Sequence, residues 1–92
     1  MGNQEITARL AGIIVRDLGA NLTLEDLFGV ERLDTILGFD SMVLMQWVAA
    51  IEREFRITIP PEKLRLDFLV DLPELIHFLS RTSEDEAGPS HP

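Results

Sequence analysis

The run from Ser41 to Phe55 carries large apolar side chains at Leu44, Trp47, Val48, Ile51 and Phe55, three or four residues apart. That spacing puts them on one face of an α-helix. Met45, Ala49 and Ala50 add helix propensity, and Glu52, Arg53 and Glu54 mark the solvated side of the last turns. The flanks bound the helix. Gly38-Phe39-Asp40 reads as a turn that ends in a capping aspartate, with Gly38 permitting the turn. Beyond the helix, Arg56-Ile57-Thr58-Ile59 alternates like an extended segment, and Pro60-Pro61 prevents helical continuation. A single-striped helix must bury its stripe against other elements. With 92 residues the chain forms one domain around a small core, too small for the deep cleft of a two-lobed enzyme.

The remaining segments supply the partners for that stripe. Ile6, Leu10, Ile13, Ile14 and Leu18 predict a first helix over residues 4–18, with Gly19 as its stop. Residues 20–40 form a long connection, yet Leu22, Leu24, Leu27, Phe28, Val30, Leu33, Ile36 and Leu37 make it too apolar to stay in water. Thr23 caps a single turn there. Pro61-Glu62-Lys63 opens a short third helix ending near Leu66 to Leu69. Asp71 with Glu74 opens a last helix that carries Leu72, Leu75, Ile76 and Leu79 and ends near Arg81. The expected fold is all-α: a four-helix bundle with a short third helix and a long structured loop between helices 1 and 2. It spans residues 1–82, and residues 83–92 read as a disordered acidic tail.

Several function classes fall away. The net charge of −8 repels nucleic acid. Cysteine is absent, which removes disulfides and thiolate metal sites. Glu52 with Glu54, and Asp67 with Asp71, lack metal-ligand spacing, so no metal is expected. No signal sequence and no membrane-length apolar run is present, so the chain is expected to be a cytoplasmic monomer that does not insert in membranes. The histidines are His77, read as an ordinary surface residue, and His91 in the tail. The glycine-x-serine-x-glycine elbow is missing. Ser41 therefore has no evident base and is not read as a hydrolytic nucleophile. The chain is not expected to be an enzyme.

Ser41 has two readings from the residues alone. It belongs to an ordinary helix cap, or it carries a phosphate ester. In the second case the free N–H groups and the dipole at the helix start stabilise the anion. Asp40 then caps the helix, holds the hydroxyl outward and offers a carboxylate to a metal-dependent modifying enzyme.

Gly38-Phe39-Asp40-Ser41-Met42, the helix after it, Ile57-Thr58-Ile59-Pro60 and Leu75-Ile76-His77-Phe78-Leu79 together resemble an acyl carrier protein over about residues 4–81. The resemblance implies a 4′-phosphopantetheine arm, derived from coenzyme A and esterified to Ser41. It implies an acyl or aminoacyl group carried on that arm as a thioester. The implied partners are a phosphopantetheinyl transferase and an acyl-loading ligase or synthase. Met42 stands where the family usually has leucine, and Phe39 is bulkier than the residue often found there. Val43, Gln46 and Arg53 stand where fatty-acid carriers place acids. These departures imply a specialised carrier with more apolar partner contacts, or family drift. The residues expected to meet the modifying enzyme and partners are Asp40, Met42, Val43 and Gln46. Trp47 is read as core. Phe28, Val48, Ile51, Leu75 and Leu79 either open to shelter an acyl chain or form a closed core. Three functions remain in view: an acyl carrier of lipid, polyketide or related secondary metabolism, an aminoacyl or peptidyl carrier (D-alanyl included), and an unmodified helical interaction module.

Overall fold

The computed structural model describes residues 2–87, and beyond Thr82 the backbone only. The first helix, α1, runs Asn3–Asp17. Its Ile6, Leu10, Ile13 and Ile14 are wholly removed from solvent. Thr7, also buried, donates its hydroxyl to the Asn3 carbonyl at 2.8 Å, so the inner face carries no orphaned polar group. The helix stops as expected. Gly19 takes a left-handed φ of 72°, and the Ala20 N–H returns to the Ile14 carbonyl at 3.2 Å.

The long connection folds back onto the bundle. It contains the single turn α2, Leu24–Leu27, where the Asp26 carboxylate accepts the Thr23 N–H at 2.8 Å. A 3-10 turn follows at Leu33–Thr35. Leu27 and Leu33 are buried, and Leu22, Leu24, Val30 and Leu37 are half-buried against the core. Burying a leucine contributes about 1.5–3 kcal/mol, which is what holds this segment to the domain. A backbone staple adds to it. The Leu33 N–H donates to the Val70 carbonyl at 2.8 Å, and the Leu72 N–H to the Glu31 carbonyl at 2.9 Å, on either side of an antiparallel bridge between Arg32 and Asp71. Nothing in the apolar spacing announces this pairing. Beside it, the Arg32 guanidinium hydrogen-bonds Asp34 at 2.8 Å and holds that carboxyl below its ordinary range.

The central helix, α3, runs Ser41–Phe55, with Trp47, Ala50, Ile51 and Phe55 buried. It does not last until the prolines. Arg56 adopts left-handed backbone (φ 56°, ψ 50°) and ends the helix well before Pro60. Ile57 and Ile59 then point inward with Thr58 exposed, as the alternation predicts, and the Glu52 carboxylate accepts the Ile59 N–H at 2.8 Å. The expected short third helix is two pieces: a 3-10 turn at Pro61–Lys63 and α4, Leu66–Leu69. Leu64 separates them. Its φ of −81° and ψ of 64°, with the Arg65 N–H donating to the Lys63 carbonyl at 2.8 Å, form an inverse γ-turn.

The last helix, α5, runs Leu72–Ala87. Asp71 caps it as expected, accepting the Glu74 N–H at 3.1 Å. The helix passes the expected end near Arg81. The next helix-breaking residues are Gly88 and Pro89, and nothing before them interrupts the turns. Within the stretch read as an acidic tail, the backbone of residues 83–87 is helical, and residues 88–92 lie outside those described.

α1 is the hub of the bundle, packing on α2, α3 and α5, while α4 packs on α3 and α5. The Trp47 indole N–H donates to the Leu69 carbonyl at 2.9 Å and pins α3 to α4. Phe68 meets Phe78 edge-on at 5.6 Å, joining α4 to α5. Between α1 and α3, Glu54 lies 3.4 Å from both Arg9 and Arg16, and Arg53 lies 3.1 Å from Asp17. Exposed pairs of this kind contribute about 0–1 kcal/mol each. The architecture is the expected all-α bundle, with α4 as its short member.

Candidate functional site

Ser41 is the first residue of α3 and is exposed. Two neighbours hold it there. Phe39 is half-buried and meets Trp47 edge-on at 6.2 Å, so the loop is anchored to the core two residues before the serine. That contact accounts for the aromatic bulk at position 39. Asp40 is the N-cap: its carboxylate accepts the Val43 N–H at 2.9 Å, and its carbonyl accepts the Leu44 N–H at 2.9 Å. The N–H groups of Ser41 and Met42 precede the first intrahelical bond and face outward, as at any helix start. Gly38 has no left-handed φ, and a Cβ built there meets nothing within 4 Å. The turn does not need glycine, which corrects the role expected for it.

The other expected recognition residues share this end of α3. Met42 is 69% exposed, Gln46 is exposed and Val43 is half-buried. Met45, for which the sequence suggests only helix propensity, is 72% exposed. With Ser41, Met42, Gln46 and Ala49 it lines an open, almost wholly apolar concavity. A sequence signal for it exists: positions 42, 45 and 49 repeat at helical spacing as a second apolar stripe, beside the one that enters the core. A shallow groove of about 310 Å³ shares Met45 and Ala49 with this concavity and continues to Leu44, Val48, Leu64 and Leu69. Glu52 closes its far end.

Of the five residues read as a possible chain pocket, Ile51, Leu75 and Leu79 share one core cluster, Val48 packs against it, and Phe28 stands apart. Ile51, Leu75 and Leu79 lie fully buried in a closed core. Val48 is half-buried and lines the external groove. Phe28 is 53% exposed, because the turn after α2 directs it away from the bundle while Leu27 takes the inward position. The expectation that Phe28 faces inward is corrected.

No charged machinery surrounds Ser41. The first turn of α3 holds no acidic residue, Asp40 being outside it as the cap. His77 is exposed on α5 and lines a different concavity, of about 560 Å³, with Thr7, Val30 and Ile76; none of the residues around Ser41 reaches it. Among the described residues no cluster of His, Asp or Glu could hold a metal ion, and no helix is long and apolar enough to cross a membrane. What the site offers is an accessible primary hydroxyl at a helix start, without a base of its own, beside an apolar surface. Such a hydroxyl fits a phosphate ester formed by another protein's catalytic groups, with the helix N–H groups facing the anion.

A family model described as "Phosphopantetheine attachment site" matches residues 31–79, just over half of the chain. The matched stretch contains the bridge to Asp71, all of α3 and α4, and the start of α5. No curated protein and no solved structure matches the chain.

Proposed function

The chain belongs to the phosphopantetheine-attachment family, and from that premise we propose that Ser41 is its attachment serine and that the protein is an acyl carrier. Members of the family hold 4′-phosphopantetheine covalently on a serine and are carriers, not enzymes. One observation supports the assignment above the others: Ser41 is the only serine between residues 31 and 79. It is also the exposed first residue of α3.

The group supplies, when bound, a terminal thiol that carries an acid as a thioester. The chain's own part is to hold the hydroxyl in reach. Asp40 fixes the helix start, Phe39 anchors the loop, and the open N–H groups of Ser41 and Met42 face the phosphate. Asp40, Met42, Val43 and Gln46 are the residues a modifying transferase and an acyl-loading ligase or synthase meet first. An acyl cargo of lipid, polyketide or secondary metabolism is favoured over an aminoacyl one by the apolar surface next to Ser41. The closed core around Ile51, Leu75 and Leu79 favours a cargo handled at the surface.

The test is a mass measurement. Incubation with coenzyme A and a broad-specificity phosphopantetheinyl transferase should add one phosphopantetheine to the wild type and nothing to Ser41→Ala. No gain with several transferases, or a gain that survives Ser41→Ala, overturns the assignment. Offering the loaded protein to acyl- and to aminoacyl-activating enzymes then separates the two cargo classes.

A further inference from the structure

The chain has three methionines, Met1, Met42 and Met45, and no cysteine. Thioethers are therefore the only sulfur groups of the chain that a peroxide can oxidise. Met42 and Met45 are the two most exposed large apolar side chains of the described residues. Packing shields a buried methionine, whereas these two offer their sulfur to solvent. Met45 stands four residues after Ser41, one turn along α3, so their Cβ atoms lie about 5–6 Å apart on one face. Helical side chains lean towards the N-terminus, over the residues three and four before them. Met45 thus leans over the turn that holds Ser41 and Met42, and all three line the same concavity.

Oxidation changes what Met45 presents to the serine. The sulfur lone pair attacks one oxygen of a hydroperoxide. An S–O bond forms and the O–O bond breaks. The proton on the transferred oxygen passes to the departing one, which leaves as water or an alcohol. Sulfur loses two electrons and the peroxide gains them. The product is a polar sulfoxide, with a strong acceptor oxygen where the thioether was a weak acceptor. On Met45 that oxygen comes within reach of the exposed Ser41 hydroxyl. A hydroxyl that attacks phosphorus must release its proton to a base of the modifying enzyme. One that donates to a sulfoxide is turned away from that base.

We propose that Met45 is an oxidation switch on the attachment site: a hydroperoxide converts its thioether to the sulfoxide, whose oxygen accepts the Ser41 hydroxyl and slows phosphopantetheine attachment. The effect on attachment rests on Ser41 being the attachment serine; the oxidation of Met45 does not. The switch is reversible, because sulfoxide reductases return methionine sulfoxide to the thioether. Met42 is oxidised as well, but residues adjacent in a helix do not face each other. Its sulfoxide is therefore not aimed at the hydroxyl, and the switch belongs to Met45.

The experiment treats the unmodified full chain with hydrogen peroxide and maps the added oxygen by peptide mass spectrometry. Catalase then removes residual peroxide before coenzyme A and a phosphopantetheinyl transferase are added, so the enzyme itself is not oxidised. Met42 and Met45 should each gain one oxygen, at rates within about threefold of those in the urea-unfolded chain. The oxidised protein should take up phosphopantetheine about threefold to tenfold more slowly, the loss expected from one hydrogen bond to the attacking hydroxyl. A methionine sulfoxide reductase should restore the rate. Each variant is compared with its own untreated sample: Met42→Leu should keep the loss and Met45→Leu should abolish it. Met45→Gln, which carries an acceptor oxygen, should be slow without peroxide, and Met45→Lys, which has no acceptor, should be faster than Met45→Gln. Circular dichroism follows the helix content of every sample. Protection of Met45 by more than about tenfold on folding overturns the proposal. So does attachment to the oxidised protein at the untreated rate, or a loss that persists in Met45→Leu. Met45→Lys as slow as Met45→Gln assigns the effect to lost apolar contact, and a loss of helix on oxidation assigns it to unfolding; either overturns the switch. An untreated wild type that gains no mass with any transferase defeats the attachment reading and the switch with it, and the oxygen map shows separately whether Met45 is oxidised.

Discussion

Asp40 and Ser41 are neighbours with separate tasks. The capping bond belongs to Asp40, so Asp40→Ala should cost about 0.5–2 kcal/mol of stability. Ser41 stands one residue inside the helix, where alanine is an excellent helix former, so Ser41→Ala should change stability by less than about 0.5 kcal/mol. Urea titration of both variants checks this, and the contrast isolates the chemical role of the serine from the structural role of its neighbour. Most of the site is legible at this scale. A capping aspartate before an apolar-periodic run is a local signal, and Ser41 sits directly after it. Met45 is harder to pick out, because one helical stripe already satisfies the core and the second reads as helix-forming filler. Phe39 looks like a departure until the structure places its ring against Trp47, a contact that spacing along the chain does not reveal.

Element starts are more legible than element ends. Thr23, Asp40 and Asp71 lie where their side chains suggest, each within three residues of the N–H or carboxylate it serves. The stops at Arg56 and Leu64 depend on backbone conformations that arginine and leucine do not advertise. Arg56 carries the cost of a left-handed residue, about 1–2 kcal/mol, which glycine avoids at about 0.5–1 kcal/mol of extra chain entropy. Arg56→Gly should therefore raise stability by up to about 1 kcal/mol, seen as a later midpoint in urea. The staple between residues 31–33 and 70–72 is invisible in the sequence for another reason. It joins segments far apart in the chain through backbone groups, to which side-chain periodicity is blind.

The molecule as a whole is a closed core with its apolar surplus on the outside of one helix. Ile51 is fully buried at the centre, and Ile51→Ala should cost about 2–5 kcal/mol in a thermal or urea melt. The fold class follows from the apolar spacing of the three long helices. The destination of the loop side chains does not, since Leu27 and Phe28 are equally apolar and only packing decides which turns inward. Trp47 touches the loop through Phe39 and α4 through the Leu69 carbonyl. It is also the single tryptophan of a chain that has no tyrosine. Ultraviolet emission from this protein thus comes from one indole at the joint of three elements, giving the domain a built-in optical gauge. A cargo that stays at the surface should leave the emission wavelength where it is, while one that parts α3 from α4 should move it to the red.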